Sequence, residues 1–155
     1  MRDMDAPKVT IEVLASADEP TVEAFERLIP MLSTSAAVPD RDTVARVLAH
    51  PANTVYAARA GDGRILGLTT LVMIELATGL EARIEDVVVD DAARGLGAGR
   101  ALVAAALEAA AERGVRYVDL TSSPRRVAAR ALYAKLGFVA RDTGVFRHDL
   151  TGYRD

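Results

Sequence analysis

Three glycines alternate at Gly95, Gly97 and Gly99, with Arg94 before them and Arg100 after them. The apolar run Val87-Val88-Val89 lies just upstream and an alanine-rich stretch just downstream, so the glycines fall between a strand and a helix. Glycine reaches positive φ without a Cβ penalty and lets a ligand approach the backbone. The first amides of a helix lack intrahelical acceptors and carry partial positive charge. The stretch Arg94-Gly95-Leu96-Gly97-Ala98-Gly99-Arg100 therefore reads as a turn for phosphate or pyrophosphate, with two flanking guanidiniums to add charge.

Several uses of such a turn compete. A Walker A loop needs Gly-Lys-Ser/Thr after the glycines, and this chain has Gly99-Arg100-Ala101. A dinucleotide fingerprint needs glycine where Arg100 stands, and it usually lies near the first strand of a βαβ sheet. Coenzyme A fits both the spacing and the position. A glycine-rich connection with no ligand also fits the turn taken alone.

The elements around the turn follow from periodicity. Residues 8–14 alternate with Val9, Ile11 and Val13 on one face, which predicts a strand. Asp18-Glu19-Pro20 starts a helix carrying Val22, Phe25, Leu28 and Ile29, ending near residues 30–33. A loop over 33–39 leads to a short helix capped by Asp40 and running to about Ala49. Strands are predicted at 54–60, 64–75 and 81–90, joined by turns at Gly61-Asp62-Gly63 and Ala77-Thr78-Gly79. A helix follows over about 97–113, closed by Gly114, then a strand over 115–120. Thr121-Ser122-Ser123-Pro124 is expected to cap a last helix to about Leu136, and 138–140 and 144–150 read as final strands.

The resulting order is β-α-α-β-β-β-α-β-α-β-β. This predicts an α/β fold with a mixed, mostly antiparallel central sheet flanked by helices, as one domain over 1–155. A right-handed crossover is required within 82–120 if its strands are parallel.

Composition narrows the chemistry. With 155 residues, half of them hydrophobic, the chain can bury a full core. A net charge of −3 supplies no long-range attraction for nucleic acid, although Arg125, Arg126 and Arg130 cluster, as a solvated face or a small anion site. There is no cysteine, so thiolate nucleophiles and disulfides are excluded. With only His50 and His148, no metal site is expected. No apolar run reaches membrane-spanning length. The start Met1-Arg2-Asp3-Met4-Asp5-Ala6-Pro7 is polar, unlike a signal peptide, so a cytoplasmic location is expected.

The segment Arg94-x-x-Gly97-x-Gly99 resembles the acyl-CoA signature of the GNAT superfamily of N-acetyltransferases. So does Ala129 with Tyr133, Lys135, Gly137 and Phe138 downstream, and the element order agrees over nearly the whole chain. The resemblance implies a fold in which the strand before the turn splays from the next parallel strand, admitting the acyl donor acetyl-CoA. A bulge near residues 87–89 would then free backbone groups of Val87, Val88 and Val89 for the pantetheine arm. It implies direct acetyl transfer to a primary amine, with no covalent enzyme intermediate. The alternative is a non-catalytic acyl-CoA sensor or interaction module.

The resemblance also makes Tyr133 the candidate acid for the departing thiolate; a phenol of pKa about 10 is protonated at neutral pH. It can equally be a core tyrosine beside Leu132 and Leu136. Glu85 is the candidate base, with Asp86 the second choice. Regular alternation puts Arg83, Glu85 and Val87 on one face and Ile84, Asp86 and Val88 on the other, so the two acids cannot share a side of a regular strand. Arg126 stands where many members carry asparagine; it is expected to meet a CoA phosphate instead, and Ser122 to give a hydroxyl contact. The acceptor pocket should involve the first two helices, the 33–39 loop and the final strands. Glu75, Glu81, Glu85 and Asp86 would favour a cationic amine if they converge. Ile84-Glu85-Asp86 resembles the amino-sugar acetyltransferases of the superfamily, and dimers are common among similar proteins.

Overall fold

A computed structural model describes residues 8–153; the polar start at Met1 to Pro7 lies outside them. The fold divides into two compact units, residues 1–123 and 124–155.

The first unit is a five-stranded sheet in the order β1 (Thr10–Val13), β2 (Asn53–Arg59), β3 (Ile65–Leu76), β4 (Gly79–Val89) and β5 (Val118–Asp119). The first four strands form an antiparallel meander, and β5 joins β4 in parallel. This matches the expected mixed, mostly antiparallel sheet.

Helices α1 (Glu19–Leu32) and α2 (Arg41–Ala49) begin where the sequence provides caps. Asp18 and Asp40 accept hydrogen bonds from the Thr21 and Thr43 amides at 3.0 and 2.8 Å. Both helices bury apolar faces on the sheet: Val22, Phe25 and Leu28 of α1 and Val44 of α2 pack with Val55, Ala57, Leu68 and Val88. Helix α3 (Ala98–Glu112) covers the sheet with Leu102, Val103, Ala106 and Ala110, all fully buried.

Gly67 of β3 sits where these layers are tightest. A Cβ there would lie 2.8 Å from the Val88 carbonyl oxygen and 3.1 Å from a Leu102 methyl. Glycine at this position therefore lets β4 and α3 close on β3.

The second unit contains α4 (Val127–Lys135), which starts later than expected. Pro124 and Arg125 form a turn first, and Arg126 takes the N-cap position without a side-chain cap. The strands expected at 138–140 and 144–150 are absent among the described residues. Their side chains suit a strand, but composition alone does not supply the hydrogen-bonded partner a strand requires. Val139, Val145 and Phe146 stand in solvent instead, Phe146 almost completely. Among the described residues no helix is long and apolar enough to cross a membrane.

Overpacking at Gly67 gives a direct test. Gly67→Ala should destabilise the protein by about 1–3 kcal/mol, read from the denaturant midpoint. Gly61→Ala, where a Cβ meets nothing within 4 Å, should change stability little.

Candidate active site

The pairing of β3 with β4 contains an extra residue. Thr70 pairs with Glu85 and Leu68 with Val88, so two steps on β3 face three on β4. Asp86 and Val87 together oppose Thr69, forming a β-bulge. Asp86 takes φ 54°, the one non-glycine residue in the left-handed region among the described residues. Asp tolerates that region better than most residues because of its short polar side chain. Thr69, fully buried, donates from Oγ1 to the Glu85 carbonyl at 3.1 Å and holds the irregular turn.

The bulge reverses the expected alternation. Directly paired residues share a face, so Ile84 lies with Leu71 and Val88 with Leu68, on opposite faces. Ile84, Asp86 and Val88 thus do not form one face, because the surplus residue resets the pleat between them. Asp86 joins Thr70 and Leu68 in lining a cavity of about 170 Å³. The rest of the lining is Phe25 and Ile29 of α1, Ala37 and Pro39 of the 33–39 loop, Thr43, Val44 and Val47 of α2, and Val55 of β2. These include the first two helices and the loop expected around an acceptor; the segments expected as final strands do not line it.

The two acids differ in surroundings. Glu85 accepts a hydrogen bond from Arg83 Nε at 2.8 Å, and both are partly exposed. Asp86 opens to solvent at the cavity mouth, yet burial pushes its carboxyl above the usual 3.8, with the Glu85 carboxylate adding to the shift. No cation offsets that shift. Glu75 and Glu81 do not line the cavity.

Beyond the bulge, β4 runs toward the glycine turn with one edge uncovered. The parallel ladder with β5 pairs only Ala82 with Val118 and Arg83 with Asp119. From Ile84 to Val89 that edge has no strand beside it among the described residues. Val88 is buried while Val87 and Val89 are half-buried, so side chains anchor the strand while backbone groups on its open edge are available. Just after β5, Ser122 Oγ is buried without a hydrogen-bond partner.

The turn itself is staked at Asp90. One carboxylate oxygen accepts from the Ala92 amide at 3.0 Å, capping the 3-10 turn Asp91–Ala93. The other pairs with Arg27 of α1 and, at 3.5 Å, with Arg64. The Asp90 amide donates to the Leu66 carbonyl at 2.7 Å. Gly95 and Gly97 then adopt φ 81° and 75°. A Cβ on either would meet nothing within 4 Å, so the backbone angle and not crowding requires glycine there.

Gly97 is the N-cap of α3 and gives no side-chain cap, so the amides of the first turn, from Ala98 and Gly99 to Arg100, point outward unbonded. Leu96 donates its amide to the Ala93 carbonyl at 3.3 Å. Arg94 pairs with Asp91 at 2.7 Å, with both side chains exposed. Arg100 is exposed and makes no ion pair among the described residues. These features fit a pyrophosphate: open space, outward amides and one uncommitted guanidinium.

In the second unit, Tyr133 is buried on α4 and meets Phe138 edge-on at 5.8 Å between ring centroids. The Phe138 amide donates to the Tyr133 carbonyl at 3.0 Å, closing the helix end. Burial pushes the phenol above 10.0, opposed by the positive Arg126. The described residues contain no cluster of acids and histidines able to hold a metal ion.

The bulge expected near residues 87–89 is present one residue earlier, at Asp86 and Val87; the positive φ of Asp86, the stake at Asp90 and the close approach at Gly67 were not foreseen. Only Asp90 had a local signal, an Asp two residues before an amide it caps.

A family model described as the acetyltransferase (GNAT) family matches residues 4–138. A mycothiol acetyltransferase of Amycolatopsis mediterranei (strain U-32) is 48% identical over 57 residues. That stretch covers 37% of this chain and 19% of the relative, so the match spans less than a fifth of that protein. An acetyltransferase structure from Trypanosoma brucei matches with a TM-score of 0.74 and 27% identity, over 92% of this chain and 99% of that one. An aminoglycoside acetyltransferase from a soil metagenome shares the fold, with a TM-score of 0.79 and 23% identity, over 92% and 95% of the two chains.

The raised Asp86 carboxyl has a consequence for stability. Its pKa lies higher folded than unfolded, so the folded form is favoured by protonation and loses that advantage as pH rises through the folded pKa. Asp86→Asn keeps a residue suited to positive φ and removes the charge. Its melting temperature relative to the wild type should therefore increase from about pH 4 to about pH 8, measured by thermal denaturation.

Proposed function

We propose, from the premise that this chain belongs to the GNAT family of acetyltransferases, that it transfers an acetyl group from acetyl-CoA directly to a primary amine. The bulge at Asp86 carries this reading. It puts one carboxylate at the mouth of an apolar cavity, on a strand whose other edge is unpaired beyond Arg83 among the described residues and which leads to an uncapped helix start.

Acetyl-CoA, when bound, supplies an activated acyl carbon. The residues proposed to hold it are Val87, Val88 and Val89 through their backbone, and Gly95, Leu96, Gly97, Ala98, Gly99 and Arg100 at the pyrophosphate. Ser122 is proposed to contact it through its unbonded hydroxyl. Arg94 and Arg126 belong to the same proposal, Arg94 by fixing the turn through Asp91 and Arg126 through phosphate. The family match runs across the division after Ser123, which supports one functional domain over 1–155.

An amine arrives as an ammonium ion and must lose a proton before its lone pair can react. We assign that proton to Asp86 in preference to Glu85, because Glu85 is occupied by Arg83 while Asp86 faces the cavity. Its raised pKa makes it a better acceptor than an ordinary carboxylate. The nitrogen then bonds to the acyl carbon as the carbon–sulfur bond breaks. Tyr133, protonated throughout the neutral range, gives its phenolic proton to the sulfur; the second amine proton restores the phenol through solvent, and Asp86 releases the first to solvent, so each turnover frees one proton. The absence of cysteine agrees with transfer in one step. A non-catalytic acyl-CoA sensor would have no use for a partly desolvated carboxylate on a strained backbone.

Thiol release from acetyl-CoA with a panel of amines, together with calorimetry of CoA binding, tests the reading. Activity should rise with pH through the Asp86 pKa, since only the ionised carboxylate takes a proton. Asp86→Asn should lose that rise and fall by about 10²–10⁴-fold in turnover. Tyr133→Phe should lower kcat and keep CoA affinity. Failure to bind CoA at millimolar concentration would remove the proposal.

A further inference from the structure

The cavity beside Asp86 selects more than a nitrogen. Its walls are mainly apolar, with Phe25, Ile29, Val47 and Leu68 among them, and its polar side chains are Thr43, Thr70 and Asp86. We propose that the acceptor is a compact monoamine on a single apolar body, the size of an aromatic ring with a short alkyl arm, and not a polyhydroxylated or polycationic amine. This deepens the acetyltransferase reading and rests on it.

Size is the first argument. The cavity measures about 170 Å³, and an apolar cavity of about 150 Å³ accommodates benzene. A ring and a one- or two-carbon arm match that space, whereas an amino sugar with several rings exceeds it.

Polarity is the second. A hydroxyl pressed against Phe25, Ile29, Val47 or Leu68 gives up its hydration without a hydrogen bond in return. A sugar would place several hydroxyls there.

Charge is the third. Asp86 is the one charged group among the described residues lining the cavity. It can balance one ammonium; a second would be desolvated without a counter-charge. The ammonium sits at Asp86 and the apolar body against α1 and α2.

The test measures acetylation of phenethylamine, ethylamine, glucosamine and kanamycin by the full chain. Phenethylamine should exceed ethylamine in kcat/KM by more than about tenfold, because the ring's carbons fill an apolar pocket, and should exceed both sugars. Val47→Phe puts a ring into the cavity and should raise the KM for phenethylamine by about tenfold or more, with the KM for acetyl-CoA near the wild-type value.

Ligand-detected NMR of phenethylamine without acetyl-CoA provides a second measurement. Binding should weaken in Asp86→Asn, which decides the matter if Val47→Phe does not fold. Preference for glucosamine or kanamycin would overturn the inference and leave the acetyltransferase reading intact. Binding of phenethylamine that Asp86→Asn leaves unchanged would also overturn it. If no amine releases thiol, the acetyltransferase reading fails, and the NMR binding still confirms or overturns the selectivity assigned to the cavity.

Discussion

The ladder between β3 and β4 has to absorb one surplus residue, and the place where it is absorbed governs both ends of β4. Below the bulge, β4 pairs on both edges, with β3 and with β5. At the bulge the pleat resets and Asp86 turns into the cavity under α1 and α2. Above it, the strand continues against β3 alone among the described residues and delivers the chain to Asp90 and the glycine turn. A regular strand of the same composition would send Asp86 to the face of Ile84 and Leu71, away from the cavity.

This arrangement has a local cost. A residue other than glycine in the left-handed region loses about 1–2 kcal/mol, and a partly desolvated carboxylate adds to that. The neighbours that hold the geometry are specific. Thr69 satisfies the Glu85 carbonyl, and Gly67 allows Val88 to return to close pairing immediately after the irregularity. Backbone strain held by its surroundings tends to gather at functional sites, and here it coincides with the lone carboxylate of the cavity. Asp90 extends the same logic to the turn, because it joins Arg27, Arg64 and the Ala92 amide at a single side chain.

Legibility in the sequence followed the range of the interactions involved. The glycine turn was readable because its requirements are local: positive φ at Gly95 and Gly97, and a helix directly behind them. The caps at Asp18 and Asp40 were readable for the same reason. The meander was visible from alternation and turn residues. The bulge came only through the family resemblance and one residue off, since counting along β4 alone cannot register a residue that is surplus only relative to β3. Gly67 carried no signal because its neighbours, Val88 and Leu102, are distant in the chain. The segments at 138–140 and 144–150 show the converse error. Their composition suits a strand, and they form none among the described residues.

The backbone at Asp86 also fixes what mutation can do there. Left-handed φ restricts comfortable replacements largely to asparagine and glycine, and a single nucleotide change in an aspartate codon reaches either one. Both retain the bend and discard the charge. Glutamate carries the charge on a longer side chain that lacks aspartate's fit to this conformation. Of the single-nucleotide replacements at this position, those that suit the bend therefore discard the carboxylate, and glutamate, which keeps the charge, does so against the backbone.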